Sequence, residues 1–379
     1  MYKGKLNVVL FPVGVYDTAG NKRLANLAKQ FTKLDAVEVS FIRLLGDTGQ
    51  KEGQSRFIYI IQQIFYLGLN LFYACYLIIK NYKKGYDNLL YFYEGKHITP
   101  FRTILAHWLG YKVAIDMVED PYSILKVSSF GMKMRMRFFL MIYKHLDKFV
   151  DFVVVVSSLL QKRIEKDFNN KLPVYLLPVT YEPSDFDVEP YKYEHFTLLY
   201  GGSFGPNYDF ESFCLAFDNM QKEYPDIKLC LTGKVNEDVR SMIKRYIKNE
   251  NSVLFLGFLD DKKYYSCVKG ADILCMPRNN SIHANAGFPF KLAEYLATGK
   301  PVITSLASDV SFYLTEDDAF MYNSGDQKTI ESYIKLIITD KQEAMRRGRN
   351  GQKKAEMCFN NLKVTTDFLT FVRNTCYKE

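Results

Sequence analysis

The stretch RNNSIHANAGFPFKLAEYLATGKPVIT, residues 278–304, decides the fold. Gly287 and Pro289 precede a run whose apolar residues recur at helical spacing, and Gly299 follows that run. Glycine and proline before a helix and glycine after it are the usual boundary signals. The apolar segment PVIT that comes next predicts a buried strand. The stretch therefore predicts a short amphipathic helix that leads into a strand of an α/β sheet.

The predicted helix has the chemistry of a phosphate site at its start. A helix that begins at a Gly/Pro turn presents backbone N–H groups and the positive end of its dipole, and both suit an anion. Lys291 lies in the first turn, and Glu294 follows one turn later, where a carboxylate can accept two ribose hydroxyls. This combination predicts a nucleotide-sugar site. The alternative is an ordinary helix on which Lys291 and Glu294 are solvated.

The run GFPFKLAEYLATGKPV resembles the donor-binding signature of GT-B glycosyltransferases of family 4, especially those that build bacterial surface polysaccharides such as capsule and O-antigen. The resemblance implies an α/β fold with two Rossmann-like domains facing across a cleft. One departure concerns a Glu-x7-Glu pair that many members carry. Glu294 matches its second glutamate, but Ala286 stands at the position of the first, and Asn285 is only a weak substitute.

Length and composition agree with two globular domains. The 379 residues are 48% apolar and 24% charged, which is enough for two cores. The polar run at 181–194, with two prolines, predicts an interdomain linker. We expect an N-terminal domain over 1–185 and a C-terminal domain over 195–358. The resemblance implies that a last helix, about 360–379, packs back on the first domain.

Cysteine and histidine usage argues against a metal site. The seven cysteines and five histidines are scattered without metal-ligand spacing, so the cysteines are expected to be reduced thiols of a cytosolic protein. Met1 leads directly into a predicted strand, and we therefore expect no signal peptide. A cofactor is not expected, and the nucleotide sugar is predicted to act as donor substrate without a metal.

The basic surplus is confined to the first part of the chain. Residues 1–160 hold 21 Lys and Arg against 12 Asp and Glu, a net charge of +9, whereas the whole chain has +8. Within this part, 57–80 is the most hydrophobic segment and 131–148 combines five Lys or Arg with Met, Phe, Leu and Ile. We expect peripheral contact with an anionic membrane on its inner face. A transmembrane helix over 57–80 and fully buried helices remain alternatives.

The N-terminal domain offers three candidate site residues. The loop 13–20 follows the first predicted strand, and the resemblance places Gly20 near the donor phosphates or the acceptor. The loop lacks the GxGxxG pattern, so NAD binding is not predicted. Glu119 and Asp120 follow the strand at 111–116, at the ligand-binding edge of a parallel sheet. They are the candidates for orienting or deprotonating the acceptor hydroxyl, and a Pro-containing turn with solvated acids is the alternative.

The C-terminal domain supplies the remaining candidates for donor binding. The loop after its first strand normally carries an Arg and a Lys in the family, but here it has Ser203 and Asn207, so Lys291 and Arg278 are expected to provide the positive charge. The resemblance implies that loops after two further strands hold the nucleotide base. The predicted donor-binding residues are Gly20, Gly202, Ser203, Lys234, Phe258, Arg278, Gly287, Phe288, Lys291 and Glu294.

Together these features predict a retaining glycosyltransferase of EC class 2.4, of the hexosyltransferase type. It is expected to move a sugar from a nucleotide-diphosphate sugar to a lipid-linked or saccharide acceptor. The alternatives are a non-catalytic sugar- or nucleotide-binding subunit and a GT-B type nucleotide-sugar epimerase. A nucleic-acid partner is not expected, because the aromatic residues lie in apolar runs and are not interleaved with Lys and Arg.

Overall fold

The computed structural model describes residues 4–11, 19–34, 36–45, 55–93, 98–122, 130–205 and 207–377. The chain divides into two compact units. The N-terminal unit comprises Met1–Leu177 and Thr365–Glu379, and the C-terminal unit comprises Pro178–Val364. Each unit contains a parallel sheet of six strands, so the predicted α/β class with two Rossmann-like domains is confirmed. The cleft between them stays a prediction.

The sheet of the N-terminal unit has the strand order β2-β1-β3-β4-β5-β6. Its strands are β1 Leu6–Phe11, β2 Val37–Phe41, β3 Asp87–Tyr93, β4 Tyr111–Met117, β5 Phe152–Val155 and β6 Val174–Leu176. Every side chain of β1 and of β5 is buried. Continuous apolar strands of this kind are typical of a parallel sheet that helices cover on both faces.

Helices cover this sheet in two layers. They are α1 Ala19–Phe31, α2 Arg56–Asn81, α3 Pro100–Leu109, α4 Phe130–Tyr143, α5 Ser158–Asp167 and the greater part of α14 Asn361–Cys376. Because parallel crossovers are right-handed, the strand order places α2 to α5 on one face and α1 on the other. The ring of Phe368 in α14 lies 6.3 Å from that of Phe31 in α1, so α14 shares the face of α1.

A buried ionic network joins α1 to the sheet. The Nε atom of Arg23 donates to Asp116 on β4 at 2.9 Å, and a second guanidinium nitrogen donates to the carbonyl of Leu177 at 2.8 Å. The hydroxyl of Tyr91 on β3 donates to the same carboxylate at 2.8 Å. All three side chains are buried. Arg23 thus fixes the first turns of α1 against the carboxyl ends of β3 and β4.

The sheet of the C-terminal unit has the order β12-β11-β10-β7-β8-β9. Its strands are β7 Thr197–Gly202, β8 Lys228–Gly233, β9 Val253–Gly257, β10 Ile273–Met276, β11 Val302–Ser305 and β12 Phe320–Tyr322. The chain extends the sheet from β7 in one direction and from β10 in the other. In open α/β sheets, ligands bind at the carboxyl ends of the strands at such a switch point.

The helices of this unit are α6 Phe210–Glu223, α7 Glu237–Tyr246, α8 Asp261–Gly270, α9 Ile282–Ala286, α10 Phe290–Ala297, α11 Val310–Tyr313, α12 Gln327–Thr339 and α13 Lys341–Cys358. Local sequence explains several of their starts. Asp209, Asn236, Asp260 and Ser281 each accept a hydrogen bond from a backbone N–H of the first turn that follows. Such side-chain caps satisfy amides that the helix itself leaves unpaired.

The segment 181–194, predicted to link the domains, lies within the C-terminal unit. It is attached to α8, since the ammonium of Lys269 donates to the carbonyls of Phe186 and Val188 at 2.8 and 2.7 Å. The apolar segment 57–80 does form one helix, α2. Among the described residues, no helix has both the length and the apolar character needed to cross a bilayer.

Candidate active site

The helix predicted from the opening stretch is α10, and it begins two residues later than Phe288. Its first residue is Phe290, Pro289 precedes it, and no side chain caps its amino end. The N–H of Leu292 bonds to the carbonyl of Pro289 at 3.0 Å. The ring of Phe288 is buried against Tyr313 and Phe359, at centroid distances of 5.5 and 5.8 Å. The side chain of Phe288 therefore belongs to the core, and the dipole of α10 acts at Phe290.

Arg278 is a buried cation at the start of the same connection. It follows β10, its Nε atom donates to the carbonyl of Ala284 at 2.9 Å, and its side chain is buried. Burial lowers the pKa of its guanidinium, an effect that the neighbouring Tyr208 and Tyr200 partly oppose. No carboxylate pairs with it in the described part of the chain. A buried charge without an acidic partner is costly, and an anionic ligand would relieve that cost.

A cavity of about 540 Å³ adjoins Arg278 at the carboxyl ends of β7, β10 and β12. Tyr208 lines the cavity and forms an isolated β-bridge with Arg278. The wall is mixed: it includes the aromatic side chains of Phe204, Phe210 and Tyr246, and also the carboxylate residues Asp209 and Glu211. The switch point of this sheet thus combines open space, aromatic surface and a buried cation.

Glu294 is the centre of a hydrogen-bonded network. Its buried carboxylate accepts from the hydroxyl of Tyr264 at 3.2 Å and from that of Tyr265 at 2.9 Å, both on α8. The ammonium of Lys291 lies 3.3 Å from the carboxylate and 3.8 Å from the centre of the Tyr264 ring. Burial and the nearby carboxylate raise the pKa of the Tyr265 hydroxyl far above its ordinary value, so this group stays a donor. Glu294 therefore orients Lys291, while its contact with a ribose stays a prediction.

Tyr295 ties α10 to the end of β7. Its buried hydroxyl accepts from the N–H of Gly201 at 2.8 Å and donates to the carbonyl of Gly201 at 3.3 Å. The pairing of β7 with β10 ends at Leu199, so the hydroxyl satisfies strand groups that no longer have a strand partner. The start of the glycine-containing loop and the candidate phosphate-binding helix are thereby held together.

The neighbouring strand ends approach too closely for side chains. Gly202 and Gly233 are paired in the sheet, and a Cβ atom on Gly233 would lie 2.0 Å from the carbonyl oxygen of Gly202. Gly233 also has φ +132°, a conformation that favours glycine. A Cβ atom on Gly201 would lie 2.8 Å from the ring of Tyr264. Gly202, predicted from the sequence to bind donor, therefore has a packing role as well.

The position where the family motif has its first glutamate is buried in this chain. Ala286 is the last residue of α9, and its side chain is fully buried. Asn285 is occupied by the chain itself: its side-chain oxygen accepts from the N–H of Ser308 at 2.7 Å, and its amide donates to Asn280 at 2.7 Å. Ser308 in turn donates to the carbonyl of Gly287 and has φ +58°. Asn285 thus fixes the loop after β11 beside the connection that precedes α10.

The other predicted residues of the C-terminal unit lie at strand ends. Ser203 follows β7 and its carbonyl accepts from the hydroxyl of Tyr200. Lys234 follows β8 and is exposed, and the ring of Phe258 follows β9 and is exposed. These positions fit donor-binding loops, but direct contacts of these residues with a donor stay predictions. Among the described residues, no group of three or more His, Cys, Asp or Glu side chains could hold a metal ion.

The predicted residues of the N-terminal unit differ in accessibility. Gly20 lies in the first turn of α1, and most of the loop expected before it falls outside the described residues. Glu119 is exposed just after β4. Asp120 is buried, accepts from the N–H of Tyr122 at 2.9 Å and pairs with Arg163 at 3.0 Å. Asp120 therefore stabilises a turn, which leaves Glu119 as the more accessible candidate base.

Comparison with known proteins gives a family match within the C-terminal unit. The family model of glycosyl transferases group 1 matches residues 183–354, which include the network around Glu294 and the buried Arg278. The match covers less than half of the chain, and it shows that this unit is similar to the group 1 glycosyl transferases. A search of curated protein sequences gave no match. The match begins within the predicted linker 181–194, in agreement with the packing of that segment on α8.

Solved structures of glycosyltransferases and of a sucrose-phosphate synthase share the fold of this chain. Sucrose-phosphate synthase from Thermosynechococcus elongatus is similar with a TM-score of 0.71 and 15% identity, over 98% of each chain. Alr3699/HepE from Anabaena, in complex with UDP and glucose, is similar with a TM-score of 0.68 and 15% identity, over 98% of this chain and 100% of that chain. A glycosyltransferase from Rickettsia africae ESF-5 is similar with a TM-score of 0.69 and 11% identity, over 100% of both chains. The predicted resemblance to GT-B glycosyltransferases is thus confirmed at the level of the fold.

Proposed function

We propose that the chain transfers a sugar from a nucleotide-diphosphate sugar to an acceptor hydroxyl. The observation that carries this proposal is the uncapped amino end of α10 with Lys291 in its first turn, inside a unit that matches the group 1 glycosyl transferases. Backbone amides at a helix start and an adjacent ammonium are the donors that a diphosphate requires. The similar Anabaena structures were determined with UDP and with UDP-glucose, which supports a nucleotide sugar as the donor here.

The donor is proposed to bind through its diphosphate at α10. Lys291 supplies one positive charge, and Arg278, buried without a carboxylate partner in the described part of the chain, supplies another. Glu294 and the two tyrosines of α8 keep the ammonium of Lys291 in place. As the sugar leaves, negative charge grows on the diphosphate, and donors that are already oriented stabilise it at little reorganisation cost. Transfer without a metal is part of this proposal.

The acceptor is proposed to be a lipid-linked or saccharide precursor, such as an intermediate of a surface polysaccharide, at an anionic membrane surface. The sugar is proposed to be a hexose that is transferred with retention of configuration. Glu119 is proposed to contact the acceptor hydroxyl, since its side chain is exposed whereas that of Asp120 is buried and paired with Arg163. Retention would be read from the anomeric configuration of the product by NMR.

Donor binding is tested by thermal stabilisation of the purified chain with UDP, GDP, ADP and their sugar derivatives. Ligand that binds only the folded state raises its stability by RT ln(1 + [L]/Kd). Lys291→Met should weaken binding of the best nucleotide about tenfold to hundredfold, the worth of a hydrogen bond to a charged group. Lys300→Met is the matched control, because Lys300 is also half-buried but follows the carboxyl end of α10. Equal affinities in the two variants would contradict the site.

Transfer itself is tested with the nucleotide sugar selected in this way and a panel of lipid-linked and free saccharide acceptors. A glycosylated acceptor together with free nucleotide diphosphate supports the proposal. Binding without any product would favour a non-catalytic subunit, which the buried Ala286 in place of the motif glutamate makes a specific alternative. An epimerised sugar would identify an epimerase.

A further inference from the structure

The outer face of α2 is predominantly apolar, with Gln62 as an exposed polar residue on it. Ile58, Phe65, Phe72 and Ile79 are exposed at intervals of seven residues, and the exposed residues Ile61, Leu69 and Tyr76 lie between them. At 1.5 Å per residue this row extends about 32 Å. Phe72 exposes 77% of its surface. The inner face of the helix is packed, with Ala74, Cys75 and Ile78 buried.

The exposed apolar surface continues across the next two helices. α3 contributes Phe101, Ile104 and Trp108, which are spaced by three and four residues and are all exposed. Arg102 on the inner side of α3 donates to the carbonyl of Asn70 in α2 at 2.9 Å. Phe138 and Met141 of α4 are exposed as well. The strand order places α2, α3 and α4 in one layer on one face of the sheet. We call the exposed apolar residues of these three helices the apolar platform.

The charged side chains within the three helices are all basic. α2, α3 and α4 contain no Asp or Glu. Lys80, Arg137 and Lys144 are exposed on or beside these helices, and none of them forms an ion pair in the described part of the chain. An uncovered apolar surface of this extent marks an interaction site. Because the helices that form it carry Lys and Arg but no acid, an anionic partner is favoured.

We propose that the apolar platform docks on the surface of an anionic phospholipid bilayer, with α2 and α3 lying in the headgroup region. Amphipathic helices bury their apolar side at this depth while Lys and Arg attract anionic lipid. Trp108 would lie at the interface, where tryptophan is enriched. A second copy is a poorer partner, because a two-fold dimer brings the same patch against itself and would place cations against cations. The platform extends the proposed membrane-side acceptor by assigning the surface that meets the lipid.

The single tryptophan makes the first test direct. Trp108 is the only tryptophan in the sequence, and 82% of its surface is exposed. The full-length chain is mixed, without nucleotide, with vesicles of phosphatidylcholine alone or with phosphatidylglycerol added. We expect a blue shift of the emission with the anionic vesicles and quenching by lipids that are brominated on the acyl chain. Unchanged emission would overturn the proposal. A shift that depends on protein concentration without vesicles, together with a dimer mass in sedimentation, would overturn it in favour of a second copy.

Variants test the two parts of the surface separately by vesicle co-sedimentation. Phe72→Ser with Trp108→Ser should abolish binding, whereas Met357→Ser, which replaces an exposed apolar residue of α13, should leave it unchanged. Lys80→Gln and Lys144→Gln should each weaken binding to anionic vesicles about fivefold. Circular dichroism confirms that each variant is folded. Because no donor is present, failure of docking and failure of the proposed transfer reaction are distinguished. Equal binding of the Phe72/Trp108 variant and the wild type would refute the platform.

Discussion

Replacement of Tyr295 by phenylalanine removes one hydroxyl from the interior of the C-terminal unit. That hydroxyl accepts from the N–H of Gly201 at 2.8 Å and donates to its carbonyl at 3.3 Å, and both residues are buried. Phenylalanine fills the same space, so no cavity forms and the change isolates the polar contact. A buried donor left without a partner costs about 1–3 kcal/mol. Since a unit of this size loses roughly 2–4 °C per kcal/mol, Tyr295→Phe should lower its melting temperature by about 2–12 °C.

Scanning calorimetry is the suitable assay, because a chain with two units need not unfold in one step. Tyr246→Phe is the matched control, since the hydroxyl of Tyr246 forms no hydrogen bond within the described residues of the same unit. Tyr295→Phe should also raise the Kd for the nucleotide, as α10 is then less firmly held to the end of β7. A melting temperature equal to that of the control would show that Gly201 does not depend on this hydroxyl, and the argument would fail.

Three further changes have defined outcomes. Gly233→Ala should destabilise the C-terminal unit by at least about 1–3 kcal/mol in urea unfolding. The new Cβ would lie 2.0 Å from the Gly202 oxygen, and Gly233 has φ +132°. Gly205→Ala is the control and should be tolerated, because no atom lies within 4 Å of its Cβ position. Asp116→Asn should cost about 3–5 kcal/mol, because the buried Arg23 loses its carboxylate partner. Additive losses in a double-mutant cycle with Arg23→Met would contradict this. Burial opposes the charge of Asp151, but hydrogen bonds from His107, the Val113 N–H and Lys112 outweigh it and lower its pKa. The resulting stability is therefore present above the unfolded value of about 4 and is lost as pH falls through the lower folded value; Asp151→Asn should flatten the acid limb of a plot of unfolding free energy against pH.

The sequence predicted α10 because its signals are local. Gly287, Pro289 and Gly299 bracket an apolar run, and the structure has a helix there with Gly299 at φ +73°. These signals do not give the exact first residue, which is Phe290, because Pro289 precedes the helix and the Phe288 ring packs into the core. Boundary residues depend on such packing, which sequence spacing does not record.

The network around Glu294 could not be predicted. Tyr264 and Tyr265 lie about thirty residues before the carboxylate, and nothing distinguishes them among the 28 tyrosines of the chain. Their role arises when α8 packs beside α10, which is a tertiary contact. The role of Tyr295 could not be predicted either, because its hydroxyl bonds to Gly201 on a distant strand. The helical spacing of apolar residues predicts that Tyr295 is buried, but it gives no information on the hydrogen bonds of its hydroxyl.

The long apolar helix α2 also shows what the sequence can and cannot predict. Its extent was predicted closely, at 57–80 against the observed Arg56–Asn81. Which of its faces is buried could not be read from a segment that is apolar nearly all round. Asn70, which interrupts the apolar run in sequence, is buried and bonds to both backbone groups of Leu45, while Phe72 is exposed.

The position of the lone indole has a consequence for following this protein by optical methods. Because the ring of Trp108 already lies in water in the folded chain, denaturation changes its surroundings little, and emission intensity will be a poor reporter of whether either unit is folded. Stability curves recorded through tryptophan would look flat for a protein that is in fact melting. Unfolding of either unit should therefore be followed by far-ultraviolet circular dichroism or by scanning calorimetry.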